Sequence, residues 1–216
     1  AMIVDGTMTL SGSTDVNFKN LTVTGTLNGK ASGNFNIEGN FVNNGTFNHN
    51  SGTVTFTGTT TLSGSSAFTL NNLIINAAST LTGVSSGNFN IQGNFTNNGT
   101  FTHNNGTVTL NSSAAQSVDG SNVAIFYNLT VNNTHASGLT MNKDFTVNNT
   151  LTMTDGDINL NGKAITLSST ASITGESNTN RIYGTSGTIT TTRSINAPSS
   201  LNVAGMGALL TGSDNL

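Results

Sequence analysis

The chain has 216 residues, with 9 Asp or Glu, 6 Lys or Arg, a net charge of −3 and no cysteine. Charged residues make up 7%, far below the roughly 25% of ordinary domains, so the chain lacks the cationic patch that nucleic acid requires. Without Cys it forms neither disulfides nor Cys-based zinc sites, while 34% hydrophobic residues and 11 Phe separate it from charged, core-poor disordered chains.

Thr and Asn supply about a third of the residues, and 25 glycines punctuate them. Along the chain, Leu21–Thr24, Thr53–Phe56, Thr107–Leu110, Leu129–Val131 and Ile158–Leu160 alternate apolar with polar residues. That period of two predicts strands with one buried face. Asn-Gly, Asp-Gly and Ser-Gly pairs break the runs at short intervals and predict turns. No long segment has helical spacing; the best exception, Asn202–Leu210, carries Gly205 and Gly207, which argue against a helix. No apolar run reaches the ~20 residues that cross a bilayer, so membrane insertion is not expected.

The dominant feature is a repeat. Asn34–Thr55 (NFNIEGNFVNNGTFNHNSGTVT) returns almost letter for letter as Asn88–Thr109 (NFNIQGNFTNNGTFTHNNGTVT). Units of this length belong to solenoids and arrays. Thr53, Thr80 and Thr107 head similar strands at two equal steps, each half of the repeat, and Leu139, Ala164 and Thr188 follow at uneven ones. Dividing Thr80–Gly106 into TLTGVSSG, NFNIQGNFTNNG and TFTHNNG gives three strands per coil. The expected fold is an all-β, single-stranded parallel β-helix over residues 1–216, with roughly eight coils and a length on the order of 40 Å. Right-handed crossovers are preferred where chirality applies, so a right-handed solenoid is expected. Two other readings stand beside it: a left-handed coil of three hexads (NFNIEG, NFVNNG, TFNHNSG), a rhythm that dissolves after Ser65, and a β-sandwich of hairpins.

The chemistry is sparse. The carboxylates are Asp5, Asp15, Glu38, Asp119, Asp144, Asp155, Asp157, Glu176 and Asp214. Asp155-Gly156-Asp157 is the one close pair; it reads as a turn, with a calcium site or a catalytic pair of the glycosidase kind as alternatives. Convergence of Asp155, Asp157, Lys143 and Lys163 in one groove would favour an enzyme. His49 and His103 are copies of each other, expected about two coils apart, and His135 is isolated. No nucleophile elbow or phosphate loop is present, and no enzymatic activity, cofactor or metal is expected. The Asn-Asn-Gly segments at Asn43–Gly45 and Asn97–Gly99 read as equivalent corners, where Asn tolerates left-handed backbone and can ladder from coil to coil.

The Thr-x-Thr strands predict a surface. With the central residue pointing in, Thr22, Thr24, Thr53, Thr55, Thr80, Thr82, Thr107, Thr109, Thr188 and Thr190 would stack on one face. Its grid would measure about 6.7 Å along a strand and about 4.8 Å between coils. Such a face resembles the arrays of antifreeze solenoids, which implies ice binding as an alternative function. The bland reading is that Thr is favoured outward on any strand.

The motifs GNFxNNGTFxHNxGTVTL, FYNLTVNN, TLTMTDGDINLNGKAITL and TRSINAPSSLNVAGMGALL resemble the Asn/Thr/Gly-rich solenoid repeats of large exported proteins of Bacteroidota and their relatives. That resemblance covers nearly the whole chain. It implies an extracellular or cell-surface segment of a longer polypeptide, with a structural or adhesive role. Implied partners are flanking segments, a second copy end to end, glycans or other surfaces. A carbohydrate-binding or carbohydrate-cleaving β-helix is the third functional reading.

Overall fold

The computed structural model describes residues 1–195, 201–206 and 209–210; Asp214 lies outside them. The chain winds through three faces in turn, and strands pair in parallel with strands one coil away, in a ladder that is unbroken on face C and interrupted once on face A, after Thr100–Thr102, and once on face B, after Thr46–Asn48. Face A begins with Met2–Val4, Leu21–Val23, Phe41–Asn43, Thr59–Ser63, Thr80–Thr82 and Thr100–Thr102, in that order. Face B begins with Thr7–Thr9, Thr26–Asn28 and Thr46–Asn48. Face C is one 9-stranded sheet running from Val16–Phe18 to Ile182–Tyr183. In the upper half, Ala124–Asn132 and Phe145–Asp155 bend across the corner between faces A and B and join them into an 8-stranded sheet. The protein is therefore a parallel β-solenoid of about nine turns. Antiparallel pairing among the described residues is confined to Leu201–Asn202 with Leu209–Leu210 and to a bridge between Ser177 and Asn180, which removes the sandwich. A 3-10 turn, Val203–Gly205, stands where the sequence offered its weak helical candidate.

Coil length differs from expectation. Asn17 and Asn36 pair one coil apart at a sequence separation of 19, and Asp157 and Arg181 bond one coil apart at a separation of 24. Neither the step from Thr80 to Thr107 nor a set of three hexads is the coil. The segment NFNIQGNFTNNG explains the difference, because it holds two strands, Asn88–Ile91 and Phe95–Asn97, with a corner between them. The step from Asn34 to Asn88 thus spans eight strands, one short of three coils. Each copied strand returns one face away: Asn34–Ile37 lies on face C and Asn88–Ile91 on face B, while Thr46–Asn48 lies on face B and Thr100–Thr102 on face A. The two Asn-Asn-Gly corners are consequently not equivalent. Asn44-Gly45 leads from face A to face B, and Asn98-Gly99 leads from face C to face A.

Inward side chains fill the shaft. Within strands such as Leu21–Val23, Phe68–Leu70 and Phe145–Val147 the flanking residues are buried and the central one is half-exposed. Phenylalanines stack along the axis. Phe18, Phe35, Phe47, Phe41 and Phe68 touch in succession with ring centroids 5.0–5.4 Å apart. Higher up, Phe95, Phe101, Phe126 and Phe145 form a second chain at 5.4–5.8 Å. Aromatic contacts of this kind add to the burial of large apolar area.

Inward polar residues appear where a loop leaves the coil. Asn43 Nδ2 donates to the Ala67 carbonyl at 2.7 Å, and Asn97 Nδ2 to the Val123 carbonyl at 3.3 Å. Both side chains are buried, and each tethers the widened corner above it. Gly64 (φ 122°) and Gly120 (φ 119°) lie over these asparagines. A Cβ at either glycine would run into the carbonyl oxygen of Asn43 or Asn97, and a positive φ of this size is closed to other residues. Gln116 and Asn133 do the same work elsewhere: Gln116 donates to Ile91 and Gly93, and Asn133 donates to Ala114 and accepts from the His135 N–H.

Phe95→Ala should remove the ring contacts to Phe101 and Phe126 and leave a cavity, lowering unfolding free energy by about 3–5 kcal/mol, as read by urea denaturation. Gly64→Ala should destabilise although it removes no contact, and an unchanged denaturation midpoint would contradict the steric account.

Candidate functional site

Stacking in register turns each outward position into a column, so the candidate threonines are placed by their pairing partners. Thr22 lies between Ile3 and Val42 on face A, and Thr24 donates its hydroxyl to the Val4 carbonyl. Thr53 lies between Asn34 and Asn72 on face C; Thr55, which is buried, lies between Asn36 and Ile74. Thr80 and Thr82 belong to face A, Thr107 and Thr109 to face B, and Thr188 and Thr190 to the last strand of face A. The ten do not form one ladder. The step from Thr53 to Thr80, and again to Thr107, advances four strands and so moves each Thr pair to a different face.

Two subsets do enter threonine arrays. On face A, Thr59, Thr80 and Thr100 form one column and Thr61, Thr82 and Thr102 the next. On face B, Thr69, Asn90, Thr109, Thr130, Thr152 and Thr174 stack in a column six rungs deep. Beside it run Asn88, Thr107, Asn128, Thr150 and Ser172. Sequence reasoning missed Thr59, Thr61, Thr69, Thr100, Thr102, Thr130, Thr150, Thr152 and Thr174; the pairs Thr59/Thr61, Thr100/Thr102 and Thr150/Thr152 carry the same Thr-x-Thr signal, whereas Thr69, Thr130 and Thr174 stand singly in their strands. Asparagines stitch the columns: Asn128 Nδ2 donates to Thr107 Oγ1 at 3.3 Å, and Asn149 Nδ2 to Asn128 Oδ1 at 2.7 Å. On the lower coils Asn48 donates to Asn28 (2.7 Å), Asn28 to Thr9 (3.0 Å) and Asn36 to Asn17 (2.8 Å).

Several ionisable groups are occupied at corners. Asp157 accepts from the Arg181 backbone N–H at 2.8 Å and pairs with its guanidinium at 3.1 Å, the one ion pair among the described residues. Gly156 has φ 79°, so the Asp155-Gly156-Asp157 segment is a turn. Asp144 accepts from the Ala164 N–H, and Glu176 from the Ile182 N–H. Asp15 accepts from the Asn34 N–H and from its side-chain amide. These two bonds, the backbone one first, with the nearby Lys30 ammonium, hold the Asp15 carboxyl below the usual carboxylate range against a desolvation effect in the opposite direction. Lys30, 3% exposed, donates to the Thr14 carbonyl. Lys143, Lys163, Asp155 and Asp157 form no ion pair with one another. Among the described residues no three His, Asp or Glu gather where they could hold a metal ion.

The histidines share one task. His49, His103 and His135 each accept at Nδ1 from the backbone N–H two positions ahead, at 2.9, 3.0 and 3.1 Å. The ring copies what Asn and Asp side chains do in turns. At His49 and His103 it serves corners whose next residues, Asn50, Ser51, Asn104 and Asn105, have positive φ. His49 lies at the corner after face B and His103 at the corner after face A, so the copies are separated by eight strands and stand on different edges. His49 Nε2 faces Gln92 Oε1 at 2.9 Å; His103 packs against the Tyr127 ring at 5.5 Å. A shallow polar groove of about 460 Å³ runs beside His49, lined by Asn71, Gln92, Asn111 and Ser112.

The chain matches no protein-family model, and comparison with curated proteins and solved structures returned no match. Fold and surface together define the class: a parallel β-solenoid with neutral hydroxyl and carboxamide columns on its faces.

Burial lowers the pKa of His103 from its ordinary value. The folded protein therefore favours the neutral ring whose Nδ1 can accept, and the unfolded chain binds the proton more readily. Stability linked to this ring is present above the ordinary imidazole pKa and is lost as pH falls through the lower, folded one. His103→Asn keeps a turn acceptor without the titration. Its urea midpoint should fall less than the parent's between about pH 7 and about pH 5; equal slopes would contradict this role for the ring.

Proposed function

We propose that this chain is a non-enzymatic structural or adhesive module of a bacterial surface or secreted protein, acting as a stiff spacer outside the cell. The observation that carries this reading is continuity: the strands of face C pair in parallel without a break from Val16–Phe18 to Ile182–Tyr183, around one apolar shaft. A force along the axis meets the face C ladder at every level and the ladders of faces A and B at most levels. Asp15, Asp144, Asp157, Glu176 and the histidines fit the same reading, since their hydrogen bonds hold corners. The low charge and the absence of Cys fit a chain built for a repetitive surface.

Coil-by-coil resistance can be measured by single-molecule stretching from the two ends. The spacer reading expects a series of steps, each releasing one coil of 19 to 24 residues, or about 60–90 Å of extended chain. A single collapse at low force, or cleavage of a polysaccharide by the purified protein, would overturn it.

The same reading gives the first coil a partner. Met2–Val4, Thr7–Thr9 and Val16–Phe18 stand at the edge of their sheets, and strand edges invite pairing. A flanking segment of the same polypeptide would continue the ladders there, and isolated modules should associate end to end. Sedimentation velocity should detect association that rises with concentration; a strict monomer throughout would count against it.

A further inference from the structure

We infer that the threonine grid of face B is a binding surface for crystalline water. The inference stands apart from the spacer reading, because it concerns the chemistry of one face and not the stiffness of the rod. Three observations carry it.

The first is regularity. Thr109, Thr130, Thr152 and Thr174 occupy four consecutive rungs of one column, with Thr107 and Thr150 in the next column two positions back along the strand. Backbone pairing fixes the rungs about 4.8 Å apart and the columns about 6.7 Å apart. A β-branched side chain has few rotamers to choose from on a strand, so hydroxyls and methyls repeat on that grid. Oxygen rows on the faces of an ice crystal repeat on a similar few-ångström scale. A solid lattice can be matched only by a surface that is itself periodic in two directions, and this grid is.

The second is charge. No Asp, Glu, Lys or Arg stands in either column; the members are Thr, Asn and Ser. An ionic partner, whether acidic polymer, mineral or charged lipid, would find nothing to pair with. A neutral lattice of donors and acceptors is complementary to hydroxyls and carboxamides, each of which both donates and accepts. Aromatic platforms, which sugar rings pack against, are absent from the grid. Tyr183, the exposed aromatic at 43%, lies on face C.

The third is preorganisation. Asn90 Nδ2 donates to Thr69 Oγ1 at 3.3 Å, Thr174 Oγ1 lies 3.4 Å from Thr152 Oγ1, and Asn128 bridges Thr107 and Asn149. The outward groups are thus tied to one another above a buried layer of Phe89, Val108, Leu129, Leu151 and Ile173. Surfaces that are ordered before binding lose little freedom on binding, and a weak contact per rung can then accumulate over the grid.

The test is partition into a slowly grown ice hemisphere, with thermal hysteresis measured on the same purified protein. The parent should enter the ice and slow crystal growth. Thr130→Tyr places a bulky ring at the centre of the grid and should abolish both effects, and Thr152→Tyr should do the same. Thr96→Tyr, on face C, should leave both unchanged, with circular dichroism melting showing that each variant keeps the fold. Exclusion of the parent from ice would overturn the inference, as would a parent and a folded Thr130→Tyr variant that partition alike. Retention of the parent on cellulose or chitin together with exclusion from ice would also overturn it and assign the face to a glycan.

Discussion

Every feature of this molecule depends on parallel pairing in register between one coil and the next. A coil cannot shift against its neighbour by one position without turning its apolar side chains out. That rule puts Phe over Phe or Val inside and Thr over Thr or Asn outside, as Phe68, Phe89 and Val108 lie in one inward column and Thr69, Asn90 and Thr109 in the adjacent outward one. A strand of three or four residues, such as Leu21–Val23 or Asn88–Ile91, would be marginal alone. Here it is stabilised from above and below, and the cost of ordering its backbone is offset because both of its edges are paired.

Much of this was legible in the sequence. The near-identical blocks at 34–55 and 88–109 implied stacking, and the alternation in Thr53–Phe56 and Thr107–Leu110 implied which residues point inward. The coil length was hidden for a local reason. A corner such as Gln92-Gly93-Asn94 is short and polar, and it interrupts an alternating stretch without a break in composition, so NFNIQGNFTNNG reads as one strand. Elsewhere corners lengthen, as between Thr82 and Asn88, with equal freedom. The strand count per repeat was therefore unreadable, and an error of one strand moved every Thr pair to another face. The buried asparagines were hidden for a different reason: Asn43 and Asn97 occupy strand positions that alternation assigns to the core, and their partners, the Ala67 and Val123 carbonyls, come from the next coil.

The rotation of the repeat has a structural consequence. Eight strands per repeat place the first copy's face B strand, Thr46–Asn48, and its descendant, Thr100–Thr102, on different sides of the rod. Outward threonines are thereby spread over the circumference by duplication, and the continuous grid on face B combines strands at the two ends of the second copy, Asn88–Ile91 and Thr107–Leu110, with strands outside the copied blocks, including Asn128–Val131 and Thr150–Met153. Asp15, Asp144, Asp157 and the histidines occupy corners, where coils are linked by side chains and not by ladders. Most charges sit at the edges, with Asp119 and Asp155 at strand ends.

The account's central claim is the register itself, and the absence of native cysteine makes it open to disulfide trapping. Neighbouring parallel rungs about 4.8 Å apart fall within the Cα separation a disulfide spans. The double variant Thr80→Cys/Thr100→Cys should cross-link on mild oxidation, and Thr109→Cys/Thr130→Cys should do so as well. Thr80→Cys/Thr107→Cys, a pair on different faces, should remain reduced. Cross-linking of the 80/107 pair with failure of the 80/100 pair would establish a coil running from Thr80 to Thr107 and contradict the register described here.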